Sequence, residues 1–326
     1  MNILVTGGAG YIGSATAEAL LQAGHTVTVY DSLVTGHRRA VPAGADFVEA
    51  ALEDRRALSK VLTTASFDAV MHFAAFIEAG ESMQDPGRFY FNNLANSLTL
   101  IETASLAGVT RLVLSSTAAV YASSDEPLTE DSPLGPTNVY GHTKLVVEQV
   151  LDWYRQVRGL NFAALRYFNA CGALPGRGEA HQPESHLIPL VLQVALGQGE
   201  AASIFGTDYP TPDGTCIRDY VHIADLVSAH LLALEALGAS DRLVYNVGSG
   251  NGFSVRQVID AARRVTAHAI PVRESPRRPG DPPRLVASSD KIRRELGWRP
   301  RYVDLEDMIS SAWEWHKSHP KGYEPA

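Results

Sequence analysis

The first thirteen residues constrain the fold of this chain more than any other segment. They read MNILVTGGAGYIG, a short β-favouring run that ends in a cluster of glycines, and an apolar helical pattern follows over 12–21. This order predicts a strand, a tight turn and a helix. Gly7, Gly10 and Gly13 have the spacing of a dinucleotide-binding fingerprint, in which the missing Cβ atoms let the backbone approach a pyrophosphate. We therefore expect a dinucleotide at the amino-terminal end of the first helix.

A second β-branched run, 26–30, ends in Asp31, which lies 18 residues beyond Gly13. A carboxylate at this position accepts hydrogen bonds from both hydroxyls of an adenosine ribose and repels a 2′-phosphate. The pattern thus favours NAD over NADP as the cofactor. The alternative interpretation of Asp31 is a turn residue before Ser32.

Strands and helices alternate through the first half of the chain. The residue patterns predict further strands over 47–50, 69–75, 111–116 and 162–167, and helices over 54–62, 88–107 and 139–157. The strand at 69–75 is apolar almost throughout, which is typical of a strand that is buried on both faces. The alternation predicts an α/β fold with a Rossmann-type, doubly wound parallel sheet that binds its ligands at the carboxyl ends of the strands.

The composition changes after Phe168. Residues 170–185 form a polar, glycine-rich stretch that predicts a long loop. Beyond it, the patterns predict helices near 187–196, 223–237, 254–265 and 304–318 and short strands near 202–205 and 243–247. We expect a NAD-binding domain over 1–169 and a smaller C-terminal α/β domain over 170–326 that recognises the substrate, with an interleaved boundary.

Composition narrows the possible partners. The net charge is −8 and the basic residues are scattered, which argues against binding to nucleic acid. The two cysteines are too few for a disulfide framework, and no apolar run is long enough to span a bilayer. A predicted strand that begins near Met1 also indicates that no signal peptide precedes it. We therefore expect a cytoplasmic protein. The eleven histidines show no metal-ligand spacing, and His72 is expected to be a hydrogen-bonded core residue.

Tyr140 and Lys144 are four residues apart on a predicted helix and therefore share one face. A nearby ammonium, together with a positively charged nicotinamide, lowers the pKa of a phenol and so prepares it to act as a base. Such a pair also occurs by chance on amphipathic helices. Ser115, Ser116 and Thr117, however, end the predicted fifth strand at the ligand-binding edge of the sheet, and we predict Thr117 as the catalytic hydroxyl.

Together, the glycine fingerprint, Ser-Ser-Thr at 115–117 and Tyr-x-x-x-Lys at 140–144 resemble the extended short-chain dehydrogenase/reductase family, and within it the UDP-sugar 4-epimerases. The resemblance covers nearly the whole chain and is most specific at IFGTDYPT (204–211), RDYVH (218–222) and RRPGD (277–281). It implies a homodimer that holds NAD and inverts C4 of a UDP-hexose through a transient 4-keto sugar.

The resemblance also implies roles for individual residues. Tyr140 takes the proton of the sugar 4-hydroxyl, Thr117 orients the C4 oxygen, and Lys144 holds the nicotinamide ribose and lowers the pKa of Tyr140. Contacts to NAD are expected, besides Tyr140 and Lys144, from Gly7, Gly10, Tyr11, Ile12, Gly13, Asp31, Ser32, Leu33, Thr35, Gly36, Leu52, Phe73, Ala74, Ala75, Asn92, Ser115, Tyr167 and Phe168. Contacts to the substrate are expected, besides Thr117, from Asn169, His186, Leu187, Phe205, Arg218, Arg278 and Asp281.

Among these substrate residues, the resemblance places Arg218 and Arg278 at the diphosphate and Asp281 at the uridine ribose. Guanidinium groups suit the first role because they bind phosphate in a bidentate manner. For Leu187 and Phe205, packing in the core is an equally good interpretation.

The chain departs from the family pattern at three places. Ala50 and Ala51 replace a Gly-Asp pair that reaches the adenine, Ile77 replaces a lysine of some members, and Leu285 replaces the tyrosine that lines the sugar 2-substituent in strict glucose/galactose enzymes. Because leucine is smaller, UDP-N-acetylglucosamine stays open as a substrate. Independently of Leu285, UDP-xylose and UDP-glucuronate stay open as substrates of a related 4-epimerase.

The same fold also serves two other functions that the sequence bears on. A nucleotide-sugar 4,6-dehydratase needs an Asp-Glu pair beside the catalytic hydroxyl, where this chain has Ala118 and Ala119. A non-catalytic NAD-binding sensor stays a minor alternative, since such a protein could lose Thr117, Tyr140 or Lys144 without penalty and all three are present.

Overall fold

The computed structural model describes residues 1–278 and 281–324, which fall into two compact, interleaved units. The first unit comprises Met1–Ala122, Pro133–Arg166 and Val227–Tyr245, and the second comprises Ser123–Ser132, Tyr167–Leu226 and Asn246–Ala326. No helix among the described residues is both long enough and apolar enough to cross a membrane.

The strands, in chain order, are β1 (Asn2–Thr6), β2 (Thr26–Asp31), β3 (Asp46–Glu49), β4 (Ala69–His72), β5 (Arg111–Thr117), β6 (Asn161–Tyr167), β7 (Asn169–Cys171), β8 (Ala202–Phe205), β9 (Ile217–His222), β10 (Arg242–Val247), β11 (Gly252–Ser254), β12 (Val272–Ser275) and β13 (Arg284–Leu285). The α-helices are α1 (Tyr11–Gln22), α2 (Arg55–Thr64), α3 (Ala79–Ser82), α4 (Pro86–Phe89), α5 (Asn96–Leu106), α6 (Val139–Arg158), α7 (Leu187–Ala195), α8 (Ile223–Ala236), α9 (Val255–Thr266), α10 (Asp290–Leu296) and α11 (Leu305–Ser318).

The largest sheet runs in the order β10-β6-β5-β4-β1-β2-β3 within the described residues. Its pairs β1 with β2, β1 with β4, β2 with β3 and β4 with β5 are parallel. The chain thus builds outward from β1 in both directions, with helices in the connections, which is the doubly wound arrangement. The prediction of a Rossmann-type α/β fold is confirmed.

The core of this sheet is apolar on both faces. Ile3, Leu4 and Val5 of β1 are fully buried, and so are Leu100 of α5 and Leu151 of α6. Every residue of β4 is buried as well, which confirms the prediction from its continuous apolar sequence. These buried strands hold the carboxyl-end loops on a rigid platform.

Strand β4 is shorter than predicted, because the pattern at 69–75 extends three residues beyond its end at His72. Its neighbour β1 ends at Thr6, which pairs with His72 and whose carbonyl accepts from the Phe73 N–H at 2.9 Å. The chain turns instead toward the glycine loop: a Cβ on Gly7 would lie 2.5 Å from the backbone nitrogen of Ala74. The segment after β4 therefore lies against the loop after β1.

The single helix predicted over 88–107 is also wrong in detail. A π-helical segment, Tyr90–Ala95, stands between α4 and α5. The wider turn aims the amide of Asn93 at Phe76: its oxygen accepts from the Phe76 N–H at 2.8 Å, and its nitrogen donates to the Phe76 carbonyl at 2.9 Å. Such segments are frequent near functional sites, and this one supplies hydrogen-bond partners for both backbone groups of Phe76.

His72 is a hydrogen-bonded core residue, as predicted. It is 1% exposed, and its two ring nitrogens lie 2.8 Å from the hydroxyls of Thr6 and Ser97. Both hydroxyls can rotate to match a neutral imidazole, so the ring is satisfied without a charge.

Because His72 is buried, we expect the free energy of unfolding to fall in acid. Burial, reinforced by the charge of Lys144, lowers the pKa of His72 from 6.5 to about 3, so the unfolded chain binds a proton here at a pH where the folded chain does not. The resulting stabilisation is present above pH 6.5 and is lost as the pH falls toward about 3. Between pH 7 and 4.5 we expect the free energy of unfolding to fall by about 2 kcal/mol more in the wild type than in His72→Gln. Urea denaturation at both pH values measures this, and equal falls in the two proteins would contradict it.

The second unit has a smaller sheet around β9. Strands β7 and β13 pair with β9 in parallel at opposite ends of one edge, and β11 pairs with it antiparallel on the other. A separate parallel pair joins β8 and β12. Helices α7, α9 and α11 form the core of the unit, with Val191, Val258 and Ile309 buried among them. The helices predicted in the second half of the chain are present. Strand β9, its partner strands and helix α10 were not predicted.

Candidate active site

Thr117, Tyr140 and Lys144 lie together in the first unit. Thr117 ends β5, and its Oγ1 accepts from the Ala119 N–H at 3.1 Å, which leaves its own hydrogen directed away and able to bond the side chain of Tyr140. Lys144 donates from Nζ to the Ser115 carbonyl at 2.8 Å. The three side chains are buried or half-buried, and the structure brings together the group that the sequence predicts.

The start of α6 sets the position of Tyr140. The side chain of Asn138 caps the helix by accepting from the Gly141 N–H at 2.8 Å. A Cβ on Gly141 would lie 2.2 Å from the Ala119 carbonyl oxygen, so only glycine lets the helix approach the end of β5 this closely. This contact places Tyr140, one residue earlier, beside Thr117.

Burial controls the charges of these groups. It raises the pKa of Tyr140 to about 12; the hydrogen bond with Thr117 opposes this rise and the charge of Glu78 adds to it. It also lowers the pKa of Lys144 to about 8 against the opposing effect of Glu148. Desolvation of the phenolate therefore decides the direction of the shift in the chain by itself. That Lys144, together with a positively charged nicotinamide, lowers the pKa of Tyr140 stays a prediction.

A buried ion pair lies behind these residues and was not predicted. Arg166 of β6 contacts Glu148 of α6 at 2.6 Å between Nη2 and Oε2, and the two side chains are only 4% and 7% exposed. Glu148 also accepts a hydrogen bond from Ser116, and Arg166 donates to the Tyr121 hydroxyl at 2.9 Å. A signal existed in the sequence, since Glu148 follows Lys144 by four residues and shares its helix face.

The glycine loop fits a dinucleotide. Gly7 has a φ of +73°, and a Cβ on Gly13 would lie 2.1 Å from the Gly7 carbonyl oxygen, so this loop exists only without side chains. Asp31 is buried at the end of β2, where its carboxylate accepts from the N–H groups of Ala9 at 2.9 Å and Leu33 at 2.8 Å. A bare backbone cradle beside a fixed carboxylate is the arrangement that binds a pyrophosphate and a ribose.

The other expected NAD residues of the first unit lie at or near the carboxyl ends of its strands. Tyr11 and Ile12 begin α1 after β1, and the loops after β2, β3 and β4, the π-helical segment and β5 contribute the remainder: Ser32, Leu33, Thr35, Gly36, Leu52, Phe73, Ala74, Ala75, Asn92 and Ser115. Tyr167 and Phe168 are part of the second unit. Six separate stretches of sequence in the first unit therefore contribute residues at or near this edge of the parallel sheet.

Among the substrate residues predicted in the second unit, four form two contacting pairs, Arg218 with Asp281 and Arg278 with Phe205. Arg218 of β9 and Asp281 make an ion pair of 3.4 Å, and Arg218 also donates to the Pro282 carbonyl at 2.9 Å. The guanidinium of Arg278 lies over the ring of Phe205, 3.9 Å from its centre. Asn169 begins β7, His186 immediately precedes α7, and Leu187 begins that helix. Two guanidinium groups beside a carboxylate and an aromatic ring can bind a nucleotide diphosphate.

Comparisons with known proteins agree with this arrangement. Residues 3–248 match the model of the NAD dependent epimerase/dehydratase family. The chain belongs to this family. It is 50% identical to the UDP-glucose 4-epimerase of Streptomyces lividans over 98% of both chains. A crystal structure of a UDP-glucose 4-epimerase superposes with a TM-score of 0.96 at 50% identity over 100% of both chains. The Bifidobacterium longum UDP-glucose 4-epimerase, solved with NAD⁺ and UDP, superposes with a TM-score of 0.95 at 34% identity, covering 99% of this chain and 100% of that one.

Asp219 is a further residue of this epimerase/dehydratase chain that sequence reasoning missed. It is fully buried in β9 next to Arg218, and it accepts from the N–H groups of Ser249, Gly250 and Ala287 and from the Ser249 hydroxyl. Burial raises its pKa to about 6, although these hydrogen bonds oppose the rise. Asp219 thus joins two loops to the strand that carries Arg218. The Arg-Asp-Tyr-Val-His motif was the signal for it.

Proposed function

We propose that the chain interconverts UDP-glucose and UDP-galactose by inverting C4 of the hexose. The observation that carries this function is the group Thr117, Tyr140 and Lys144 at the end of β5 and the start of α6, in a chain that matches UDP-glucose 4-epimerases over nearly its full length. The hydride acceptor and donor that the chemistry needs is NAD, the cofactor of the family.

In this proposal Tyr140 moves the proton of the sugar 4-hydroxyl. Its oxygen accepts that proton when C4 becomes a carbonyl carbon and returns it when the alcohol is restored on the opposite face. Because burial holds its pKa near 12, Tyr140 is protonated in the chain by itself, and it acts as a base only when a positive charge comes near. Thr117 orients the C4 oxygen, and Lys144, fixed to the Ser115 carbonyl, holds the nicotinamide ribose.

The remaining binding residues divide between the two ligands. The glycine loop holds the pyrophosphate of NAD, and Asp31 holds the adenosine ribose. The contacts to NAD are completed by the other first-unit residues named above together with Tyr167 and Phe168. Arg218 and Arg278 bind the diphosphate of the UDP-sugar and Asp281 its uridine ribose. Asn169, His186, Leu187 and Phe205 complete the substrate set.

A direct assay tests the proposed function. The purified chain, supplied with UDP-galactose, is expected to form UDP-glucose without consuming added NAD, and during incubation its bound cofactor should show reduced-nicotinamide absorbance. A non-catalytic sensor would bind NAD and give neither signal. A folded, NAD-loaded chain that forms no UDP-glucose would contradict the proposal.

Leu285 favours a second activity, on UDP-N-acetylglucosamine. It lies in β13, opposite Arg218 of β9, and is half-buried. We expect Leu285→Tyr to lower kcat/KM for UDP-N-acetylglucosamine by at least about tenfold, since a larger side chain fills the space of an acetamido group, while changing that for UDP-galactose by less than about threefold. Parallel kinetics on the two substrates measure this. Equal losses on both would show that Leu285 does not line the 2-substituent.

We further propose that the chain forms a cytoplasmic homodimer. Helices α5 and α6 expose apolar side chains, with Leu106 and Val157 each 69% exposed and Trp153 65% exposed. Such a patch is typical of a protein interface, so light scattering is expected to give twice the chain mass of 35.2 kDa. A mass of one chain would contradict the dimer. Both cysteines, Cys171 and Cys216, are buried and free, which suits a reducing compartment.

A further inference from the structure

The loop between β7 and α7 brings four metal-ligating side chains together. They are Glu179, His181, Glu184 and His186, and one potential ligand atom of each lies within 4.8 Å of all the others. The Nδ1 atom of His186 is 2.8 Å from Oε1 of Glu179 and 2.9 Å from Oε1 of Glu184, and Nδ1 of His181 is 3.2 Å from Oε1 of Glu179. We call these four residues the His-Glu cluster.

The two carboxylates of the His-Glu cluster are buried and held in place. The side chains of Glu179 and Glu184 are 6% and 5% exposed. Trp315 donates from its indole nitrogen to the backbone carbonyl of Glu179 at 3.0 Å, which holds the main chain there, and Glu184 Oε1 accepts from the N–H groups of Ser185 and His186. Outer contacts of this kind orient the ligands of a metal site. The His186 side chain is 34% exposed, which leaves a route from solvent.

We propose that the His-Glu cluster is a site for one zinc ion. Two imidazoles and two carboxylates make a mixed nitrogen and oxygen set, which zinc accepts and which magnesium and calcium, as ions that prefer oxygen, do not. In a tetrahedral zinc site the ligand atoms are about 3.4 Å apart. The contacts of 2.8 to 3.2 Å and the outer limit of 4.8 Å bracket this spacing, so side-chain rotations of modest size suffice.

The position in the fold indicates a structural role. The ligands span only residues 179–186, and the last of them is the residue that precedes α7. Zinc would therefore close this loop and fix the orientation of His186 at the start of the helix. The proposed zinc site does not depend on the proposed epimerase activity, because zinc binding can be measured without NAD or a UDP-sugar. Sequence reasoning missed the site because its ligands are spaced for a loop rather than for one helix face.

Zinc titration of the untagged, chelator-treated chain tests the proposal. Isothermal calorimetry and elemental analysis after desalting are expected to show one zinc per chain with micromolar or tighter affinity. His181→Ala and Glu184→Gln should each weaken binding at least about tenfold. Glu184→Gln keeps an oxygen for the backbone donors and removes the charged ligand. His268→Ala, which removes an exposed histidine from the same unit, is the matched control and should bind as the wild type does.

A thermal measurement separates metal binding from damage to the fold. At a hundredfold excess of zinc over its Kd, we expect Tm to rise by about 5 °C in the wild type and in His268→Ala but not in His181→Ala or Glu184→Gln. Circular dichroism of the metal-free variants shows whether they are folded. The proposal is overturned if the wild type retains no zinc, or if folded His181→Ala and Glu184→Gln bind it as tightly as the wild type. In that case the cluster is a hydrogen-bonded group of histidines and carboxylates.

Discussion

Tyr140→Phe is expected to lower kcat for UDP-galactose by about 10²- to 10⁴-fold, the range in which a positioned acid or base contributes to catalysis. The substitution removes one oxygen and keeps the ring, so the packing at the start of α6 and the binding of NAD should persist. The loss is large because Tyr140 is the proposed proton acceptor, and Thr117, whose hydroxyl is held by the Ala119 N–H, cannot replace it as a base.

The control for this experiment is Tyr154→Phe. Tyr154 is on the same helix, 14 residues further along, and its hydroxyl bonds Glu102. The control removes the same atom from α6 away from the end of β5, and we expect kcat within about threefold of the wild type. Bound NAD is quantified spectroscopically in both variants. Comparable turnover in Tyr140→Phe and Tyr154→Phe, with NAD retained, would refute the assignment of Tyr140 as the base.

Arg166→Met is expected to lower the free energy of unfolding by about 3–5 kcal/mol. The variant removes the guanidinium from the buried Glu148 carboxylate, and leaves it the Ser116 hydroxyl and the charge of Lys144 as partners among the described residues. Urea denaturation at neutral pH measures the change. Because this pair lies behind the end of β5, activity is expected to fall together with stability.

Two further variants show that the effect belongs to the buried pair. Adding Glu148→Gln to Arg166→Met removes the unpaired charge and should restore at least half of the lost stability, even if the single variant folds poorly. Arg264→Met breaks an exposed pair with Glu306, in which the side chains are 60% and 49% exposed, and should cost less than about 1 kcal/mol. If Arg166→Met costs no more than Arg264→Met, the ion pair does not stabilise the fold.

The features that follow from short-range patterns were predictable. The glycine loop, the position of Asp31 after β2 and the common face of Tyr140 and Lys144 each depend on residues within one strand, turn or helix. Periodicity also predicts the parallel sheet, because a strand that is apolar throughout must be covered on both faces. Local chemistry and spacing are thus enough for the fold class and for the central residues of the candidate site.

Other features depend on residues that meet only after folding. The residue at which β4 ends depends on where its neighbour β1 ends. The ion pair of Glu148 and Arg166 joins a helix to a strand. Burial raises the pKa of Tyr140, and the spacing of residues in the sequence does not reveal burial. The shift of this pKa is opposite in direction to the one expected from Lys144 alone. Asp219 and the His-Glu cluster likewise bring together groups from loops. In each case the deciding quantity is the distance or the solvent exposure of atoms that the linear order leaves unspecified, whereas the strand, turn and helix that begin the chain are encoded in consecutive residues.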